Sequence, residues 1–218
     1  MSYMDALGNL GRTTERELVR LLGLYTAGQL MATQFVDLAT VAVSLGQQQG
    51  RIMAEVALMA WLEASGKRVE PVAAPKLQHY ADSDRVRRGL ETIVAAGVLD
   101  PADTEMRVKR FGYSETVESS QRAFGQAMQD SGQVTGWTRG LEPDACELCQ
   151  WWSRDGRVWP VEHSMPTHKG CICTPIPSDA AVVPSVGKDA RWYSADRELE
   201  GSYTERQSSG YVTRSRKQ

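Results

Sequence analysis

The residues with the most chemistry in them lie between Cys146 and Cys173. The segment reads Cys146-Glu147-Leu148-Cys149, then an aromatic and polar insert, then His168-Lys169-Gly170-Cys171-Ile172-Cys173. All four cysteines of the chain and two of its three histidines fall within it. Thiolate sulfur and imidazole nitrogen are the donors a tetrahedral zinc ion takes, at about 2.0–2.3 Å. A C-x2-C turn delivers two thiolates to one side of such an ion. His168 with Cys171, or Cys171 with Cys173, can deliver the other two. Five donors compete for four seats, and the preferred set is Cys146, Cys149, His168 and either Cys171 or Cys173. His163 is a weaker sixth candidate. Glu147 and Glu162 are near in sequence, but the H-E-x-x-H and H-x-E…P-C-x-x-C spacings of catalytic zinc are missing. The expected zinc is therefore structural. Two other readings of the cysteines stay open: small buried hydrophobes, or a pair of disulfides formed after release into an oxidising medium.

The whole chain sets bounds on this. It has 218 residues, 41% of them hydrophobic, a net charge of −2 and four cysteines. Mean hydropathy is −0.40 and the pI about 6.0. These values suit a modest core with a polar surface, and imply no global affinity for nucleic acid, so any DNA contact needs a local patch. The start, Met1 to Arg12, lacks the basic and apolar runs of a signal peptide. The longest uncharged apolar-rich run, Leu21 to Val36, contains Thr26, Gln29, Thr33 and Gln34. It falls short of the roughly 20 apolar residues a membrane span needs. A soluble protein of the reducing cytoplasm is expected, making no membrane contact, with its cysteines as thiols or metal thiolates.

The elements that must position the cluster follow from periodicity. Thr14-x-x-Glu17 reads as a capping box opening a helix, after which Leu18, Leu22, Tyr25, Ala32, Phe35, Ala39 and Val43 recur at helical spacing. A second pattern, Ile52 to Ala64, has Ile52, Val56, Met59, Trp61 and Leu62 as its apolar members. Gly46 and Gly50 either break these helices or bend one long one. Gly66 reads as a C-cap, and Pro71 and Pro75 mark an extended connection. Ser83 or Asp82 caps a third helix that Gly97 ends. Thr104–Phe111 and Ser114–Asp130 read as two further helices. Beyond Gly132 helical patterns vanish, four of six tryptophans cluster between 137 and 159, and 134–139 and 157–159 look like short strands. From Pro175 onward the chain is rich in Pro, Ser, Gly and charge, and reads as an extended or disordered arm with a basic end. The expected architecture is mainly α: a helical region over 1–131, a small Cys/His α+β module stabilised by zinc over 132–177, and an extended C-terminal arm over 178–218. Chelation, or Cys146→Ser, is expected to unfold 134–177 and leave the helical region standing.

One segment carries a resemblance. Asp144-Ala145-Cys146-Glu147-Leu148-Cys149 precedes the Trp-rich insert. Asp155-Gly156-Arg157-Val158 and His163-x-Met165-Pro166 then lead to His168-Lys169-Gly170-Cys171-x-Cys173-x-Pro175. Residues 134–177 resemble the C-terminal module of the phage head morphogenesis, or MuF-like minor capsid protein, family, in wording closest to versions from tailed phages of actinobacteria. The family's usual proline after the histidine is Lys169 here, and its basic residue between the last cysteines is Ile172. The resemblance implies a non-enzymatic minor structural protein of the virion head, near the portal vertex in the capsid interior, made in the host cytoplasm. It acts there in head assembly and DNA packaging or ejection. The implied partners are the portal protein, the major capsid protein and, as a further candidate, packaged DNA. Cys146, Cys149, His168, Cys171 and Cys173 are then the structural centre of the module.

Two alternatives stand beside it. Val161-Glu162-His163-Ser164-Met165-Pro166 echoes the first histidine stretch of HNH nucleases, with His163 as general base and Glu162 beside a metal. The Asn and final His or Asn of that fold are missing, since Asn9 is the only asparagine and no histidine follows His168. A zinc-ribbon binding module is the other, with Trp151, Trp152 and Trp159 stacking on bases or a partner. The basic clusters Arg85, Arg87, Arg88 and Arg107, Lys109, Arg110 are interleaved with acids and read as solvated helix faces. His79 reads as a surface histidine.

Overall fold

Ser2 opens the first helix. Its hydroxyl accepts the Asp5 N–H at 3.1 Å, and the Asp5 carboxylate accepts the Ser2 N–H at 3.1 Å. Helix α1 then runs Tyr3–Thr26, so Thr14 lies inside it, its hydroxyl bonded to the Leu10 carbonyl at 3.3 Å. The capping box read at Thr14–Glu17 is therefore not one. Gly28, at φ +72, turns the chain into α2, Ala32–Ala64. α3 spans Ser83–Gly97 and α4 spans Pro101–Ser131. The computed structural model describes residues 2–69, 83–97, 101–180, 182, 202–207 and 210–215. The expectations for Pro71, Pro75, His79 and most of the arm lie outside these residues.

Gly46 and Gly50 do not break α2. They are the points where it meets its neighbours. A Cβ on Gly46 would lie 2.5 Å from Thr14 Oγ1 and 2.7 Å from Thr116 Oγ1, and one on Gly50 only 1.7 Å from Ser120 Oγ. Gly112 likewise does not divide α4 into the two helices read at 104–111 and 114–130. Its missing side chain admits the Leu18 side chain and the Glu15 backbone of α1. Small residues thus draw α1, α2 and α4 together, and α3 packs on α2 and α4. One core cluster gathers Leu18, Leu22, Phe35, Val43, Val86, Leu90 and Val108. Gly66 and Gly132 cap α2 and α4 with φ of +67 and +60.

The module after Gly132 packs onto the far ends of α2 and α4. β1, Gly136–Gly140, is the centre of a three-stranded antiparallel sheet in the order β2-β1-β3, with β2 at Trp159–Pro160 and β3 at Thr174–Ser178. Trp137 pairs with Trp159 on one side and Pro177 on the other, and Arg139 pairs with Pro175. β3 belongs to the stretch read as the start of an arm. Prolines on alternate residues of an edge strand turn their missing donors outward, which leaves the ladder intact. Val134, Trp137 and Trp159 join Ala54, Leu58, Leu62, Phe124 and Met128 in a second core cluster. Helical region and Cys/His module therefore share a core, within one compact unit over Met1–Val183. A second unit, Pro184–Gln218, contains a hairpin of β4, Ser202–Gln207, and β5, Gly210–Ser215. The architecture is mainly α with a small antiparallel sheet and a Cys/His cluster, as the sequence leads one to expect. Among the described residues no helix is long and apolar enough to cross a membrane.

Candidate metal centre

Three short pieces of chain bring the donors together. Cys146 is the N-cap of α5, Glu147–Ser153, and Cys149 sits in its first turn, so C-x2-C aims both sulfurs to one side. The second piece is a tight turn. The Cys171 N–H reaches the His168 carbonyl at 3.3 Å, and Gly170 takes φ +86, a left-handed value that an L side chain resists. The third is the entry to β3, which carries Cys173.

The resulting contacts are close. His168 Nε2 lies 3.2 Å from Cys146 Sγ and 3.1 Å from Cys149 Sγ, and Cys149 Sγ lies 3.3 Å from Cys171 Sγ. Cys146, Cys149 and His168 have donor atoms within 4.8 Å of one another, and so do Cys149, Cys171 and Cys173. Cys149 is common to both groups. Donors on one tetrahedral ion stand about 3.3–3.8 Å apart, so these contacts are a few tenths tighter than coordination sets them. All four cysteines are free thiols; Cys149, Cys171 and Cys173 are buried and Cys146 is exposed.

The surroundings suit a cation held by thiolates. Cys173 N–H points at Cys171 Sγ at 3.3 Å, Glu142 N–H at Cys173 Sγ at 3.5 Å, and Arg139 Nη2 at Cys149 Sγ at 3.5 Å. Such N–H···S bonds spread thiolate charge. His168 Nδ1 lies 3.3 Å from the Lys169 carbonyl, which leaves Nε2 to face the sulfurs. Burial pushes the Cys149 thiol up, and the bond from Arg139 draws it back. The hydrogen bond between Cys171 and Cys173 pulls Cys173 down and pushes Cys171 up. A coordinated cation deprotonates any thiol it binds, whatever this order. The five residues expected to hold a metal are thus brought together as a cluster able to bind one.

Two residues that motif reading missed hold the cluster in place. Gln121, on α4 and buried, donates to the Cys171 carbonyl at 2.9 Å and the Cys173 carbonyl at 2.8 Å. Arg139, on the buried face of β1, donates to the Pro166 carbonyl at 2.9 and 2.8 Å and lies over Trp152 at 5.1 Å. Both had a signal. Gln121 interrupts the apolar series Val117, Phe124, Met128 at a core position, and Arg139 shares the inward face of a strand with Trp137. Lys169 completes the mount by reaching Glu118 at 3.1 Å and Glu115 at 3.6 Å on α4.

His163 stands elsewhere. It stacks on Trp159, ring centroids 4.6 Å apart, and its carbonyl accepts Trp137 Nε1 at 2.8 Å. Burial lowers its pKa, and the Arg157 charge lowers it further. Among the described residues no metal-capable group contains His163 or Glu162. Trp137 and Trp159 are core, whereas Trp151 is exposed with Arg154 at 4.0 Å over its ring. The basic clusters are largely paired, Arg85 with Glu115, Arg87 with Asp37, Arg107 with Asp103 and Lys109 with Glu105. Comparison with protein families, with characterised proteins and with solved structures finds no match to this chain.

Proposed function

We propose that this chain is a non-enzymatic minor structural protein of a tailed-phage head, whose Cys/His module is closed by one structural zinc ion. The observation that supports the metal is the pair of donor groups, Cys146, Cys149 and His168 and Cys149, Cys171 and Cys173, that meet at buried Cys149. Five protein donors for four seats leave no position open to a substrate, as catalytic zinc requires. Cys146, Cys149 and His168 form one donor group and are assigned three seats, and Cys171, whose sulfur lies 3.3 Å from Cys149 Sγ, is assigned the fourth. Cys173 stands beside them, held by the Glu142 N–H. Zinc fits three thiolates and one imidazole better than calcium or magnesium, which take oxygen.

The role in the head rests on the resemblance of residues 134–177 to the MuF-like module. The helices offer contact surfaces to portal and major capsid protein in the capsid interior, and the module is a rigid fitting on the end of the bundle. Packaged DNA is a further contact. Quantitative mass spectrometry of gradient-purified particles tests this. A small fixed ratio of this chain to portal protein is expected, and absence from particles overturns the reading.

A further inference from the structure

Helix α2 is apolar on two opposite faces. Phe35, Ala39, Val43, Ala54, Leu58 and Leu62 are buried against the bundle. On the other side Leu38, Val41, Leu45, Ile52 and Val56 are 46, 56, 52, 44 and 53% exposed. At 3.6 residues per turn these five fall within about 60° of one another and roughly opposite the buried face. Ile52 and Val56, apolar members of the sequence pattern, thus point away from the core. The steps between the five residues are 3, 4, 7 and 4, with Gln48 inside the long step. With Gln48 counted, Leu38 to Ile52 step by 3, 4, 3 and 4, the spacing of a coiled-coil seam, and Val56 lies beside Glu55, the next position of that series. From Leu38 to Gly50 the helix has no charged residue on any face. A helix side that faces water ordinarily carries charge, and one apolar all round is normally enclosed.

We propose that this seam binds α2 of a second copy of the chain, so that the protein self-associates through paired α2 helices. From Leu38 to Ile52 the seam positions carry no charge and raise no repulsion against a second copy, and Glu55 beyond them is paired with Arg51 of the same helix. Gln48, the polar residue of the series between Leu38 and Ile52, carries both donors and an acceptor, so two copies of it can pair across a two-fold axis. The size fits as well. Leu38 to Val56 covers about 27 Å of helix. With exposed Met31 and half-buried Met59 at its ends, the apolar strip offers roughly 600 Å² per copy, at the small end of specific interfaces and in keeping with a dimer that dissociates on dilution. The inference is independent of the metal and of the role in the head.

The test is the molar mass of the full chain by light scattering over a dilution series. A two-chain mass is expected at high concentration, falling to one chain on dilution. Val41→Glu and Leu45→Lys, both on the exposed side, should give one-chain mass throughout, with unchanged helical circular dichroism and melting. Leu45→Gln is the milder check and should weaken association about tenfold or more. Met106→Lys, at an exposed apolar position on α4, should leave the mass as it was. A one-chain wild type at the highest concentration overturns the proposal. So does a dimer that survives the seam substitutions.

Discussion

Gln121 on α4 donates its side-chain amide to the carbonyl of Cys171 at 2.9 Å. The same nitrogen reaches the Cys173 carbonyl at 2.8 Å, so one buried side chain ties the Cys/His turn to the helical bundle. Gln121→Leu keeps the volume and removes both bonds. Buried carbonyls left without a donor cost about 1–3 kcal/mol each, so a loss of about 2–6 kcal/mol is expected in denaturant melts. Metal affinity should also fall by about 10–100-fold in a chelator competition, as for other groups that orient ligands. Unchanged affinity would mean that the bundle does not set the metal site.

The ligand assignment separates two neighbouring cysteines. Cys171→Ser removes the fourth ligand and should abolish tight zinc binding. Cys173→Ser should keep one zinc with affinity within about tenfold of wild type. Equal loss in both variants would place Cys173 in the first coordination shell.

Removing the metal should not simply detach residues 134–177. Trp137 and Trp159 pack with Leu58, Leu62, Phe124 and Met128, so the C-terminal ends of α2 and α4 lose their cover with the module. Hydrogen exchange after chelation should rise in 134–177 and in these ends together. Amides around Leu18, Phe35 and Val86, in the other cluster, should stay protected. Unchanged exchange at the ends of α2 and α4 would instead return the module to independence.

Two glycines predict opposite signs. Gly23 on α1 has nothing within 4 Å of a built Cβ, so Gly23→Ala should stabilise by about 0.5–1 kcal/mol through helix propensity. Gly46→Ala meets the buried hydroxyls of Thr14 and Thr116 and should cost about 1–3 kcal/mol despite the same propensity gain. Thermal melts of the two variants side by side decide it.

Glu115 supplies a pH signature. Burial pushes its carboxyl up, but the hydrogen bond and charge of Arg85, with Lys169, outweigh burial and leave it below its ordinary value of 4.5. A carboxyl whose folded pKa is depressed stabilises the fold above the unfolded value, and that stability is lost as pH falls through the folded one. Glu115→Gln should therefore cost about 1–3 kcal/mol at neutral pH. The gap to wild type should close as pH drops below about 4.5. A gap that persists in acid would mean that packing, not charge, is what the residue contributes.

Much of this was legible in the chain, for physical reasons. C-x2-C and H-x2-C-x-C are local spacings, and they name the candidate donors while leaving open which of Cys171 and Cys173 takes the fourth seat. Of the tryptophans between 137 and 159, Trp137 and Trp159 mark a core that the module shares with α2 and α4, and Trp151 is exposed. What the sequence hid was long-range. Thr14 mimics a helix cap, yet its hydroxyl lies in the α1–α2–α4 contact, where the Thr116 hydroxyl donates to it at 3.1 Å. Gly112 and Gly46 look like breaks, and only the helix packed against each shows them to be places of close approach. Pro175 and Pro177 argue against a strand until the strand is known to be an edge. Ile52 and Val56 have the spacing of a core face, and periodicity alone does not tell a core face from a seam on the opposite side.

Native mass spectrometry of the purified, reduced full chain reads directly whether the Cys/His cluster holds a zinc ion. One zinc per chain is expected, lost in Cys149→Ser because Cys149 belongs to both donor groups. A metal-free, fully folded protein with four reactive thiols, or with two disulfides in their place, would contradict it.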